Sequence, residues 1–399
     1  MAKRSVAIVG CGVNGMFCAY FLLKKGFDVT IIDKNKDGLT SSNNAGLLTP
    51  SLSPAPSISA KDTIKSLTVG FGPVYISPSQ VIRNMKWFLL ALKKRNPEYD
   101  KVLLHMGERS LYLYKRFFKE EGVDADVKSG VAALYKSSDE AKVLSKRYKG
   151  RFIDQYRISG MGYTGLSGGI YFDDEISINP VKLYSGLRAK VGEMGAEIML
   201  GKEAELVGNG QEIDHVFIGS KDIKADNYIS ATGSWSNNFL SNIGYNPQII
   251  PARGLSMIFS TGNKEIISNP SLLEDYGMAV AQHSQNNMRA TTFFELVGIN
   301  GNFRKSRKEW MLSILRTHLD KFNYIKLEEE GYGFRPCTPD QMPVVGRVPN
   351  YKNLFIAGGQ CRVGVTLAPM TGQIISDMIS GSKHEVRGID YLSPQRFAK

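Results

Sequence analysis

The sequence predicts an α/β protein organised around a parallel strand–helix–strand unit at its start, and three observations predict it. Ser5-Val6-Ala7-Ile8-Val9 is a short apolar run rich in β-branched residues, which reads as a buried strand. It leads into Gly10-Cys11-Gly12-Val13-Asn14-Gly15, of the form G-x-G-x-x-G. An amphipathic stretch from Met16 to Lys25 follows, Gly26 stops it, and a second strand from Phe27 to Ile32 ends in Asp33. Strand, tight turn, helix, strand and terminal acid make a Rossmann-like unit for the ADP half of a dinucleotide.

Each position in that unit has a physical task. Gly10 allows the tight turn, Gly12 lets backbone approach a pyrophosphate, and Gly15 lets helix and strand pack closely. Val13 and Asn14 open the helix, whose N-terminal N–H groups and partial positive charge attract phosphate. The Asp33 carboxylate, with Lys34 after it, falls where ribose hydroxyls donate; it would repel a phosphate there, which disfavours NADP.

At 399 residues the chain has room for two domains with sizeable cores. Fifty Lys and Arg against 38 Asp and Glu give a formal charge of +12. The excess is spread along the chain, with no basic run beyond Lys93-Lys94-Arg95, so a solvated basic surface is preferred to nucleic-acid binding. The four cysteines, Cys11, Cys18, Cys337 and Cys361, form no C-x-x-C pair, no metal-ligand spacing and no disulfide framework. They read as small packing residues in a reducing compartment. With the first strand starting almost at once and no apolar run long enough to span a bilayer, the expectation is a cytoplasmic protein, peripheral on the inner membrane face at most.

Thr40-Ser41-Ser42-Asn43-Asn44-Ala45-Gly46-Leu47 is a small, polar loop suited to covering a cofactor. Ser51 to Ser79, rich in Ser and Pro, reads as an irregular crossing. Gln80 to Arg95 reads as one basic amphipathic helix; a core-facing helix with a solvated edge is preferred over a membrane contact through residues 80–95. Helices are expected over Leu103–Glu121, Ser138–Lys149, Asn179–Met194 and Glu309–Phe322. Strands are expected over Gly130–Tyr135, Gly168–Phe172, Glu197–Leu200 and Glu203–Val207, the last including Ala204. Ile223 to Ser230 reads as a buried strand running into Ala231-Thr232-Gly233-Ser234-Trp235-Ser236, a second crossing of the nucleotide sheet. A strand-rich stretch begins at Pro251-Ala252-Arg253-Gly254.

Near the C-terminus, Leu354 to Gly358 is a strand, Gly359 to Gly364 a glycine-rich loop, and a helix runs from about Thr366 to Ile379. This is a second glycine-presented helix N-terminus, suited to negative charge. A chain with one glycine fingerprint and a late loop returning to the same sheet suits a flavin: a helix N-terminus beside the ring's pyrimidine side stabilises its reduced, anionic form.

The motifs resemble the FAD-dependent D-amino-acid oxidase superfamily, and most of all its D-amino-acid dehydrogenases. The matching residues are Gly10, Gly12, Gly15 and Asp33, then Thr40-Ser41-Ser42 and Asn44-Ala45-Gly46. Ala231-Thr232-Gly233-Ser234-Trp235-Ser236, Pro251-Ala252-Arg253-Gly254, Gly333-Phe334-Arg335-Pro336 and Thr338-Pro339-Asp340 match too, and the loop from Gly358-Gly359 to Gly364-Val365-Thr366 completes the set.

The resemblance implies a p-hydroxybenzoate-hydroxylase-like architecture. Residues 1–75, 175–243 and 333–399 would form a discontinuous FAD domain, and residues 76–174 and 244–332 an inserted α+β substrate domain on an antiparallel sheet. It implies that Arg335 clamps a substrate carboxylate and that Gly364, Val365 and Thr366 touch the flavin. Arg253 and Arg362 are further candidates for substrate contact. Relatives often carry Gly-His where this chain has Gly359-Gln360, and Cys337 is not where sarcosine-oxidase relatives attach flavin, so the FAD is expected to be non-covalent. The implied reaction is oxidative deamination of D-amino acids, D-proline or other small apolar ones among them. Hydride passes from Cα to flavin N5, with a quinone, a dye or another acceptor taking the electrons; the alternative is a glycine- or sarcosine-oxidase type enzyme using O2.

Overall fold

The computed structural model describes residues 4–37, 42–53, 72–383 and 386–398. Ser5–Val9 sits inside a six-stranded sheet, in the order Val344–Arg347, Leu354–Gly358, Asn227–Ser230, Ser5–Val9, Asp28–Asp33, Glu197–Leu200. All neighbours are parallel except the edge strand Val344–Arg347. A central parallel strand is covered on both faces, which is why Val6 to Val9 is unbroken apolar sequence and fully buried. The helix Val13–Lys24 returns the chain to Asp28–Asp33 across one face.

That helix packs against the last long helix, Gly364–Ser380, at a very close crossing. A Cβ added at Gly372 would lie 2.5 Å from the carbonyl carbon of Phe17 and 2.8 Å from the nitrogen of Cys18. The helix Glu98–Glu121 closes the same core with Leu103, Met106, Leu113, Tyr114 and Phe117. Tyr114 meets Phe17 edge to face at 5.3 Å, and its hydroxyl donates to the Val365 carbonyl at 2.8 Å.

The second sheet has ten strands and is mainly antiparallel. At one edge stand Lys326–Cys337, Ile250–Ser260 and Asn287–Leu296; Val74–Ile76 pairs parallel to the last of these. The core of this region lies between the sheet and the helix Lys305–His318, around Met257, Phe259, Met288 and Met311. The mixed α/β architecture, with a Rossmann-like parallel sheet beside a large antiparallel one, is the one expected from the sequence.

Three elements differ most from expectation. The strand expected from Ile223 to Ser230 is two, Asp222–Ile223 in a separate three-stranded sheet and Asn227–Ser230 in the parallel one. The helix expected from Gln80 to Arg95 is broken at Asn84 into Pro78–Arg83 and Met85–Ala91. Asn84 leaves helical backbone (φ −120°, ψ 34°) while its side-chain amide donates to the Gln80 carbonyl, a local bond that competes with the helix ladder. The segment around Arg335, read only as a motif, belongs to the twelve-residue strand Lys326–Cys337. Its Glu328-Glu329-Glu330 run argues against a strand by propensity, but charge is suited to a sheet edge, where it blocks pairing with a further strand.

Candidate active site

A cavity of about 910 Å³ lies where the carboxyl ends of the parallel strands meet the antiparallel sheet, the size of a cofactor-and-substrate site. The first glycine turn forms one end. Gly10, Gly12, Val13 and Asn14 line it, and a Cβ at Gly10 would come within 2.3 Å of the Ala231 carbonyl oxygen. Gly15 lies behind the wall, where a Cβ would be 2.0 Å from the Gly10 oxygen, so it serves helix–strand packing. Asp33 and Lys34 continue the wall. The two Asp33 oxygens accept the N–H groups of Cys11 and Asn35 at 2.7 and 2.8 Å, which orients the carboxylate and leaves it further lone pairs toward the cavity.

Asn44, Ala45 and Leu47 line the cavity; Gly46 and Ser42 support that loop from behind. Gly46 passes 1.9 Å (as a Cβ) from the Ile178 oxygen, and the Ser42 carbonyl accepts from Arg289. Thr40 and Ser41 lie outside the described residues. Ala204, Thr232, Gly233 and Trp235 line the middle of the cavity. Lys34 lies over the Trp235 ring, 4.5 Å from its centroid, and Trp235 meets Phe334 edge to face. Gly364, Val365 and Thr366 open the last helix onto the cavity, with no capping side chain at Val363. Gly359 lies outside the wall, turning with φ +76° against Thr338 and Val344.

Two glycine-presented helix N-termini thus face one elongated cavity, the arrangement that suits a dinucleotide with an anionic ring at its far end. Gln360, which stands where relatives often carry a histidine, adds to the fit. It is buried in the wall, its amide N–H donates to Asn14, and its Oε1 has no partner among the described residues, an acceptor ready for a donor on a bound group. The residues present therefore fit FAD: Gly10 to Asn14 and Asp33 at the ADP end, Gln360 and Gly364 to Thr366 at the ring end.

Beyond the ring end, Arg335 and Arg362 both line the cavity. Arg335 lies flat over the backbone of Gly254, where a Cβ would be 2.5 Å from its Nη1, and Nη1 donates to the Phe293 carbonyl at 2.7 Å. Burial, and then the charge of Arg362, push its pKa down to about 10, so it stays cationic at neutral pH. Arg362 donates to the Leu52 carbonyl at 3.2 Å. Glu274, on the turn after Ser271–Leu273, also lines the cavity and a smaller side pocket of about 220 Å³ that Arg362 shares. Burial raises its carboxyl to about 7, against the opposing pull of Arg362. Nothing local in Leu273-Glu274-Asp275-Tyr276 signals that place.

Two expectations are corrected. Arg253 is not in the cavity wall: its Nε and Nη2 hold Glu295 at 3.0 and 2.5 Å, and Nη1 reaches the carbonyls of Asn300 and Asn302. Arg307 binds the other Glu295 oxygen at 2.7 Å. And Cys337 and Cys361 are joined in a disulfide, not separate thiols. An isolated bridge between Cys337 and Gln360 brings the end of Lys326–Cys337 against the C-terminal loop, and the disulfide joins the same two places across a sequence separation of 24. The pairing removes the basis for inferring a reducing compartment. Cys11 and Cys18 remain buried thiols, raised to about 11 and about 12 by burial. Among the described residues no helix is long and apolar enough to cross a membrane.

Known structures share this architecture. Iminodiacetate oxidase from Chelativorans sp. BNC1 superposes with a TM-score of 0.78 at 17% identity, covering 98% of each chain. L-proline dehydrogenase from P. horikoshii gives 0.77 at 18% identity, covering 99% of this chain and 98% of its own. Glycine oxidase from Bacillus cereus ATCC 14579 gives 0.75 at 19% identity, covering 97% and 98%. At such identities the likeness is one of fold. The family model DAO, described as FAD dependent oxidoreductase, matches residues 5–378, nearly the whole length. The chain belongs to the DAO family of FAD-dependent oxidoreductases.

Proposed function

We propose that this enzyme oxidises the C–N bond of a small amino or imino acid, with Arg335 holding the substrate carboxylate. One observation carries the reading: a cationic guanidinium, fixed by Phe293 and the bare backbone of Gly254, faces the ring end of a dinucleotide cavity. A planar guanidinium takes a carboxylate through two parallel N–H bonds, which fixes the orientation of Cα as well as its position. FAD, held without a covalent bond, supplies the hydride acceptor when bound. The chain's part is positioning, which supplies much of the rate of such a step. Phe293, Phe294 and Phe334 add apolar lining to the same cavity. The substrate amine reacts in its neutral form, and because Cα–H would leave as a hydride to the flavin, no side-chain base is needed to take a proton from Cα.

D-amino acids, D-proline among them, are the proposed substrates, with a quinone or another acceptor taking the electrons. The second reading is an oxidase for glycine or a secondary amine, supported by the folds of the glycine and iminodiacetate oxidases. Anaerobic mixing of the FAD-loaded protein with D- and L-amino acids, proline, glycine, sarcosine and iminodiacetate tests both. Bleaching of the flavin band by D-amino acids supports the first, and bleaching by glycine or secondary amines alone, with peroxide formed in air, supports the second. A flavin left coloured by every one of them sinks the proposal.

A further inference from the structure

The broken helix pair Pro78–Arg83 and Met85–Ala91 has two apolar faces, and the fold uses one of them. On the inner face Trp87 is buried and donates to the Cys337 carbonyl at 3.1 Å, with Val81, Phe88 and Ala91 packed around it. On the outer face Ile82, Met85, Leu89 and Leu92 are 71%, 56%, 61% and 56% exposed. Met85, Leu89 and Leu92 follow one another at four and three residues along the second helix and its cap, and Ile82 is exposed near the end of the first. Arg83, Lys86, Lys93 and Lys94 flank them, all exposed, and no Asp or Glu occurs from residue 78 to residue 97.

We propose that this outer face docks the protein on an anionic lipid bilayer. A contiguous exposed apolar patch rimmed by cations is an interaction surface rather than a solvated face. The charge selects the occupant. A second copy of the chain would bring its own cations onto these across a two-fold interface, setting like charges together. A nucleic acid would satisfy the cations and leave four aliphatic side chains against its phosphates, while the one buried ring, Trp87, points inward. An anionic bilayer satisfies both, with aliphatic side chains in the headgroup–acyl boundary and cations on the lipid phosphates. Val74 and Ile76, on the strand that feeds this helix pair, line the cavity. The inference stands apart from the substrate proposed above.

The test is co-sedimentation of the FAD-loaded full chain with vesicles of phosphatidylcholine, with and without phosphatidylglycerol. The chain is expected to pellet with the anionic vesicles, to stay in solution with the neutral ones, and to be released by high salt. Leu89→Asp and Ile82→Asp are expected to lower the partition coefficient on the order of tenfold each. The double change Lys93→Gln with Lys94→Gln should lower it roughly 25-fold, at about fivefold per cation. All these positions are exposed, so circular dichroism and bound FAD should match the unaltered protein. The proposal is overturned if the unaltered chain stays in solution with anionic vesicles, or if the variants pellet as it does. A dimer dissolved by Leu89→Asp with lipid binding unchanged also overturns it.

Discussion

Arg253 and Arg335 stand one pairing apart on the same two strands, yet they meet different environments. Arg253 pairs with Phe334 and Ala252 with Arg335, so the two guanidiniums leave the sheet on opposite faces. Arg253 finds Glu295, itself 2% exposed and shared with Arg307, and two backbone carbonyls. Arg335 finds the Phe293 carbonyl and an open cavity wall. One cation is neutralised inside the protein, and the other keeps its charge for something that arrives. A buried arginine with a complete set of partners holds the fold, and one whose positive charge is left unmatched by any nearby carboxylate is the candidate for binding an anion.

The sharpest way to break that contrast is Arg335→Leu. It should lower kcat/KM for a carboxylate substrate roughly a thousandfold, about 4 kcal/mol, while the protein keeps its flavin absorbance. A loss of threefold or less would show that the clamp lies elsewhere. Glu295→Ala tests the other face. It leaves Arg253 and Arg307 buried without their carboxylate and should cost about 3–5 kcal/mol of stability, seen as a lower urea midpoint, with KM little changed in the folded protein. Gly254→Ala sharpens the comparison, because its Cβ would lie 2.5 Å from Nη1 of Arg335. Displacing the guanidinium should lower kcat/KM on the order of tenfold, with the urea midpoint shifted less than for Glu295→Ala.

The smallest effect concerns Glu274, whose carboxyl is raised to about 7. Below that pH it is neutral and the positive charge of Arg362 is undiluted; above it the carboxylate offsets that charge. KM for a carboxylate substrate should therefore rise a few-fold as pH passes upward through about 7 and become flat in Glu274→Gln. The same raised value means that the folded protein holds this proton longer than the unfolded chain. Stability from this group is greatest in acid and falls as pH climbs from 4.5 to about 7, a slope the Gln variant removes.

The nucleotide unit was legible because its information is local: a turn, a helix and an acid between Gly10 and Asp33 dictate their own geometry. The substrate side was only partly legible. Strand parity and register, which send Arg335 to the cavity and Arg253 to Glu295, depend on pairings between segments far apart in the chain. The Cys337–Cys361 pair had no motif to announce it, since what joins them is the isolated bridge that sets Gln360, in the loop after the last strand, against the end of Lys326–Cys337. Glu274 carries no signal beyond its place in three dimensions, whereas Gln360 was visible only as a departure from the Gly-His of relatives. At Asn84, a side chain bonding back to the preceding turn overrode an amphipathic pattern that otherwise reads as one helix.

The close crossing at Gly372 links the two ends of the cavity. The helices that meet there each begin at one glycine loop, so the spacing between the loops is set by how nearly their axes approach. A single methyl group at that point would work as a wedge, prising phosphate cradle and ring pocket apart although it touches neither. Tolerance to insertion of that methyl, read as FAD release rather than unfolding, measures how finely the protein gauges the length of the molecule it carries.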